Sequence, residues 1–303
     1  MCPLFAVLVA ACDPGREELS RSGSALNTDN GVVLNGRTLN GRTLNGNDLS
    51  GLLTGVRLDS IKLAGHHATL SSVTLQASRF SGTNGTTTYE GTAFVGASLT
   101  GTLGDGNLIP LRIDAISNGQ GPNGDLLMYS FSYRDPGTGT WNPGCVDALN
   151  NPVPAIPVMG RWDYRTGVAG GGAFIDDPSA FTFACTSGAV GKCVVDGYRP
   201  WASVSGKSLA PYHQACTRLL RADYCGDGTS YTQNGRSVNL YDSLGIQIDT
   251  APWLVEAAWS PSGAVCFRNH NRALTPVPCY QQSYESACGS SYPGNSVLMS
   301  EIQ

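Results

Sequence analysis

Apolar positions along the chain follow three patterns. A leucine recurs every five residues at Leu34, Leu39, Leu44 and Leu49, inside Asn-Gly-rich units. The beat returns at Leu58 and Leu63, and again at Leu70, Leu75 and Phe80. On a flat strand this period sends successive leucines to opposite faces, and on an α-helix it turns them by about 500° per step. A chain that coils every few residues keeps them all inside; the competing reading is an Asn-Gly linker with turns. From Thr86 the pattern is β. In Leu108 to Ile116, Leu111, Ile113 and Ala115 alternate with Arg112 and Asp114. Leu126 to Tyr133 reads as a second strand, joined to the first as a hairpin with a long loop.

The second half mixes periods. Leu209, Tyr212, Cys216, Leu219 or Leu220 and Tyr224 recur at helical spacing. Ser208 caps this expected helix, Pro211 sits in its first turn and Gly226 ends it. Asn234-Gly235, between Tyr231-Thr232 and Val238 to Tyr241, is a two-residue hairpin signal. A second hairpin is expected around Ser260-Pro261-Ser262-Gly263, with Val255, Ala257 and Trp259 alternating on one arm. The expected fold is mainly β or α+β: a short β-coil-like repeat and antiparallel strands, then a disulfide-rich α+β domain with one central helix.

Composition agrees. The 303 residues include 38 glycines and 17 prolines but only 14% charged residues, which favours short strands and many turns over long helices. Net charge is −4 with no basic run, so nucleic acid is excluded as a partner.

Leu4 to Ala11 is an unbroken apolar run, too short to span a bilayer and suited to the core of a secretory signal. It ends in Val9-Ala10-Ala11-Cys12, which resembles the lipobox of bacterial lipoproteins. That resemblance implies acylation of Cys12 and a membrane partner; an ordinary cleaved signal is the alternative. Residues 13–31 then form a flexible tether. The basic residues that usually precede such a run are missing. Cys145, Cys185, Cys193, Cys216, Cys225, Cys266, Cys279 and Cys288 all lie in the second half. An even set in an exported chain reads as four disulfides, and no C-x-x-C spacing supports a metal. On one helical rod Cys216 and Cys225 would stand ~13 Å apart, beyond the ~7 Å reach of a bridge, so different partners are expected for them.

Two further resemblances concern whole segments. The five-residue beat resembles pentapeptide-repeat proteins, with Asn47 to Gly51 and Ser78 to Gly82 fitting best and Arg37 and Arg42 standing where small residues belong. Trp162-Asp163-Tyr164, the Gly170 to Gly172 run, Asp176-Asp177-Pro178, Phe181 to Cys185, Gly197 to Trp201 and the block His213 to Gly228 occur in that order. Together, over about residues 155–266, they resemble the ADYC domain family, named for Ala222-Asp223-Tyr224-Cys225. The family implies exported bacterial proteins, often lipoproteins, and no stated activity.

The chain therefore divides into a signal with lipobox (1–12), a tether (13–31), a repeat and β-rich domain (32–144) and a disulfide-rich ADYC-type domain (145–303). The expected function is a lipid-anchored cell-envelope module, structural or ligand-binding, with an envelope protein or glycan as ligand and no cofactor. Five tryptophans in the second half, Trp141, Trp162, Trp201, Trp253 and Trp259, serve either a ligand face or the core. The alternative is a hydrolase or transferase. One form pairs His213 with Cys216 on a helix face; the other uses His213, Asp223 and Tyr224, with Asp176-Asp177, as an acid/base site. An even cysteine count leaves no free nucleophile, and Asp223 has a plain structural use as a helix-end hydrogen-bond acceptor. Arg218 and Arg221 suit the negative end of the helix. His66-His67 is the one imidazole pair, with no third ligand nearby in sequence.

Overall fold

The computed structural model describes residues 32–34, 52–65, 70–289 and 291–303. Its centre is a six-stranded antiparallel barrel built from Leu53–Arg57, Ser98–Leu103, Leu108–Asn118, Leu127–Arg134, Ala155–Met159 and Ala180–Cys185. Closure comes where Ala155 pairs with Tyr129. Alternation explains the barrel directly. Leu111, Ile113, Tyr129, Phe131, Phe181 and Phe183 turn into one buried cluster, while Arg112 and Arg134 face out. The expected strand pair around residues 108–133 is present, with Ile116 opposite Tyr129.

A three-stranded sheet, Ser72–Gln76, Arg79–Thr83 and Thr88–Glu90, closes over the barrel. Its Phe80 reaches Phe181 at 4.9 Å and Tyr129 at 5.4 Å between ring centroids. The leucine beat from Leu58 to Phe80 does point inward, but not on a coil. Leu75 and Phe80 face each other across an antiparallel pair, and Leu58 lies in a 3-10 turn. Antiparallel pairing satisfies the backbone between neighbours, and the five-residue spacing there reflects strand plus turn length. Residues 35–51, which carry most of the repeat, lie outside the described residues.

The second layer is a five-stranded sheet ordered Val32–Leu34, Ser237–Asp242, Leu298–Ile302, Leu254–Ser260 and Gly263–Phe267. The Ser260 to Gly263 hairpin forms as expected. The Asn234-Gly235 hairpin does not: Gly235 takes φ +83 in a turn, but Ser237–Asp242 pairs with Val32–Leu34 on one side and Leu298–Ile302 on the other. Both edges of that strand are taken by sequence-remote partners, so the local turn cannot choose its neighbour. Strand ladders also run across residue 145, since the barrel takes strands from both sides of it.

Three short helices are described: α1 (Ala189–Val195), α2 (Ala210–Arg221) and α3 (Ser283–Ala287). The expected fold held one helix; α1 is only seven residues long, too few to show a period. Four disulfides pin these elements: Cys145–Cys185, Cys193–Cys216, Cys225–Cys279 and Cys266–Cys288. Cys216 and Cys225 take different partners. The first bridge holds the barrel to the loop beyond Pro143, the second joins α1 to α2, and the fourth ties α3 to its sheet.

Candidate functional site

Helix α2 packs against α1 and the five-stranded sheet and buries ten of its twelve residues. Four of those are polar or basic beyond His213: Gln214, Thr217, Arg218 and Arg221. A helix buried on nearly every side has to supply partners for each such group, since an unpaired buried charge is costly. Those partners define the site.

The helix stops three residues earlier than Tyr224. Ala222 adopts φ 50, its N–H donates to Leu219 O at 2.9 Å, and the Asp223 N–H donates to Arg218 O at 2.9 Å. That pair of bonds is a Schellman cap, which satisfies the last carbonyls and needs a left-handed residue. Ser208 contributes at the other end, where its Oγ accepts from Ala210 N at 3.3 Å, while Leu209 occupies the cap position.

The cap aims Asp223 back under the helix. Its carboxylate is fully buried and accepts from the Arg218 guanidinium, from Gly228 N at 3.0 Å and from Asp227 N at 3.2 Å; Arg221 Nη1 lies 3.6 Å away. Arg218 donates onward to the carbonyls of Gly171 and, at 3.2 Å, Pro261, and Arg221 donates to that of Gly228. Burial pushes the Asp223 carboxyl above its ordinary range and the two guanidiniums pull it back. The glycine run now has a reason. At Gly172, φ is +71 and a Cβ would sit 2.6 Å from Arg218 Nη1. Arg218 and Arg221 thus act as buried partners of Asp223 and the loops, beyond the interaction with the negative end of the helix that the sequence suggests.

Tyr224 enters a second buried cluster. Its hydroxyl donates to Glu256 Oε1 at 2.6 Å, and its ring stacks on Trp259 at 5.2 Å. Glu256 also accepts from Arg272 Nη1 at 2.9 Å, Arg272 N at 3.1 Å and Ser300 Oγ at 2.7 Å, which fills its acceptor sites. Arg272 donates onward to Leu219 O, and Trp259 Nε1 to Ser300 Oγ at 2.8 Å. Burial, then Glu256, holds the Tyr224 phenol well above its ordinary value. Cys225 closes the motif by bridging to Cys279; both are half-buried, unlike the other six bridged cysteines. The sequence reading missed Glu256, Arg272 and Ser300. The available signal was a charged residue inside the apolar run Val255 to Trp259.

The structure does not bring His213, Asp223 and Tyr224 to one surface. His213 Nε2 is 3.0 Å from Val190 O, and its ring meets Trp162 edge-on at 5.7 Å. Asp177 pairs with Arg161 at 2.8 Å and accepts from Ser179, and Asp176 is exposed. Cys216 is oxidised. His66-His67 and Cys12 lie outside the described residues. Among the described residues, no group of three or more His, Cys, Asp or Glu side chains could hold a metal.

Other parts of the motif series are struts. Trp162 Nε1 donates to Gln214 Oε1 at 3.1 Å, and Gln214 Nε2 to Gly172 O at 3.0 Å. Arg199 reaches the barrel loop through Asp125 at 2.6 Å. Tyr198 donates to Asp242 at 2.8 Å. The sequence pattern of the ADYC domain matches residues 91–273, well over half the chain. This chain belongs to the ADYC domain family. The ADYC domain starts earlier than the motif series, just ahead of the barrel strand Ser98–Leu103. No curated protein and no solved structure matches the chain.

His213 also gives this ADYC domain a pH signature. Burial depresses its pKa to about 4 from 6.5, with the Val190 carbonyl opposing. Between those values the unfolded chain binds a proton that the folded chain refuses. The contribution is therefore intact above pH 6.5 and falls as pH drops through about 4, by ~3 kcal/mol in all. Urea unfolding at pH 7 and pH 4.5 checks this. His213→Gln, which can still donate to Val190 O, should lose that part of the slope, and an unchanged slope would assign it elsewhere.

Proposed function

We propose that this protein is a lipid-anchored, non-catalytic binding module of the bacterial envelope. The observation that carries the reading is where the motif residues go: Asp223 is 0%, His213 2% and Tyr224 2% exposed, and each is committed to partners inside the core. An acid/base catalyst has to reach its substrate. The hydrolase or transferase alternative therefore lacks a reachable group at these positions.

Four disulfides suggest an oxidising, extracytoplasmic location. The apolar run Leu4 to Ala11 and the lipobox-like Val9-Ala10-Ala11-Cys12 support export and acylation at Cys12. Each acyl methylene buried adds about 0.8 kcal/mol, so two or more chains hold a protein at the surface. Mass spectrometry of the membrane-fraction protein tests the anchor. The expected N-terminal peptide begins at Cys12 and carries diacylglycerol; an unmodified N-terminus in that fraction overturns the anchor. Thiol titration of the denatured, unreduced chain should find no free thiol among the eight cysteines from Cys145 to Cys288, and one or two reactive thiols would return the Cys/His chemistry to contention.

A further inference from the structure

Of the five tryptophans, Trp162 and Trp259 are buried and Trp201 and Trp253 half-buried; Trp141 alone is exposed, at 39%. It sits on Trp141–Pro143, a short strand added to the outside of the barrel with Trp141 opposite Arg134 and Pro143 opposite Ser132. Side chains of paired residues share a face. The outer face here therefore carries Trp141, Arg134 and, one strand further in, Arg112, with Ser132, which pairs with Arg112, buried beneath them. A register shift between Ile113 and Ala115 makes Asp114 the extra residue of a bulge. Bulges re-aim side chains. This one leaves Asp114 on the outer face, where it takes Arg112 Nε at 2.7 Å and Ser132 Oγ at 3.2 Å. The Arg112 guanidinium lies 4.6 Å from the Trp141 ring centroid.

Arg112, Asp114, Ser132 and Trp141 line a groove of about 220 Å³ whose far wall is Pro152 and Val153. The wall is fixed in place. A Cβ at Gly144 would lie 2.1 Å from the Phe131 ring, so the chain turns in tightly there, and Cys145 is bridged to Cys185 straight after. A second depression of about 560 Å³ opens beyond Pro110 and Arg134 on the same barrel.

We infer that this face is a binding site for a neutral oligosaccharide, with one sugar ring against Trp141 and its hydroxyls held by Arg112 and Asp114. Three features select that class. An exposed indole offers an apolar, π-rich surface to the C–H face of a sugar. A guanidinium and a carboxylate fixed side by side supply paired donors and acceptors that match vicinal hydroxyls. Arg112 and Asp114 are the only charges lining the smaller groove and they cancel, which disfavours polyanions. That groove falls below the ~300 Å³ of pockets that enclose a drug-sized ligand, so it takes a single unit while the chain runs on along the barrel toward Arg134.

The inference rests on the binding-module reading, and its test is separate from that of the anchor. The disulfide-bonded chain would be titrated calorimetrically with maltotetraose, cellotetraose and tetra-N-acetylchitotetraose, with a sulfated tetrasaccharide and a proline-rich peptide as contrasts. At least one neutral tetrasaccharide should bind. Trp141→Ala and Asp114→Asn should each weaken it about tenfold or more, which is ~1.4 kcal/mol, with the thermal midpoint held. Binding by none of the neutral sugars, binding only by the sulfated sugar or the peptide, or full affinity in both variants would overturn the site. Acylated Cys12 together with no sugar binding would remove this site and leave the anchored module standing.

Discussion

Asp223→Ala is expected to remove about 3–5 kcal/mol of unfolding free energy, enough to leave a marginal domain largely unfolded. The reason lies in what stays behind. Arg218 and Arg221 remain buried with their shared carboxylate gone, and the N–H groups of Asp227 and Gly228 lose their acceptor. Asp223→Asn keeps the shape and one acceptor but not the charge, so it should cost nearly as much. Urea unfolding followed by near-ultraviolet circular dichroism measures both. A variant within about 1 kcal/mol of the parent would show that this carboxylate does not hold the fold together, and would reopen an acid/base role for it.

Glu256 gives the second large effect, and a sharper comparison. Glu256→Gln alone leaves Arg272 fully buried beside a neutral side chain and should cost about 3–5 kcal/mol. Replacing both partners, Glu256→Leu with Arg272→Met, removes the charges together. Buried ion pairs exchanged for packed apolar groups are often close to neutral, so the double variant should recover half or more of the loss. Tyr224 and Ser300 lose the acceptor for their hydroxyl protons in that background, so a residual loss of about 1–3 kcal/mol is expected. Equal stabilities for the single and double variants would mean that the pair is not electrostatically coupled.

Both results bear on what the motif is for. Ala222 ends a helix, Asp223 collects two arginines and two loops, Tyr224 plugs the aromatic core and Cys225 is bridged to Cys279. Each residue acts where two elements meet, and together they tie the end of α2 to the loops beside it and to the second sheet.

Much of this was legible beforehand. Period-two alternation marked the barrel strands because Leu111, Ile113, Tyr129 and Phe131 turn inward while Arg112 and Arg134 do not; it breaks at the bulge after Ile113, which leaves Ala115, expected on the inner face, exposed. The helical spacing around Cys216 marked α2; Cys216 and Cys225 do take different partners, although the helix ends at Arg221 and Cys225 lies beyond it rather than on the same rod. Other features were hidden for physical reasons. The leucine beat between Leu58 and Phe80 recorded burial correctly but not its geometry, since a coil and a strand-turn-strand unit can bury the same positions. Asn234-Gly235 carried the local signature of a hairpin, yet pairing was decided by strands two hundred residues before it and sixty after it. The partner of Tyr224, Glu256, is a lone acidic residue with no local pattern.

The sequence by itself determined that this chain is β-rich, that its thiols form an even crosslinked set and that one helix runs through the ADYC block. Those properties depend on residue type and spacing along a few turns of chain. Tertiary structure alone decided that His213 and Asp223 are sealed inside, that Arg218 and Arg221 face inward, and that Trp141 is the tryptophan left outside. Burial and charge pairing depend on which distant segments arrive beside a residue, and no local spacing encodes that.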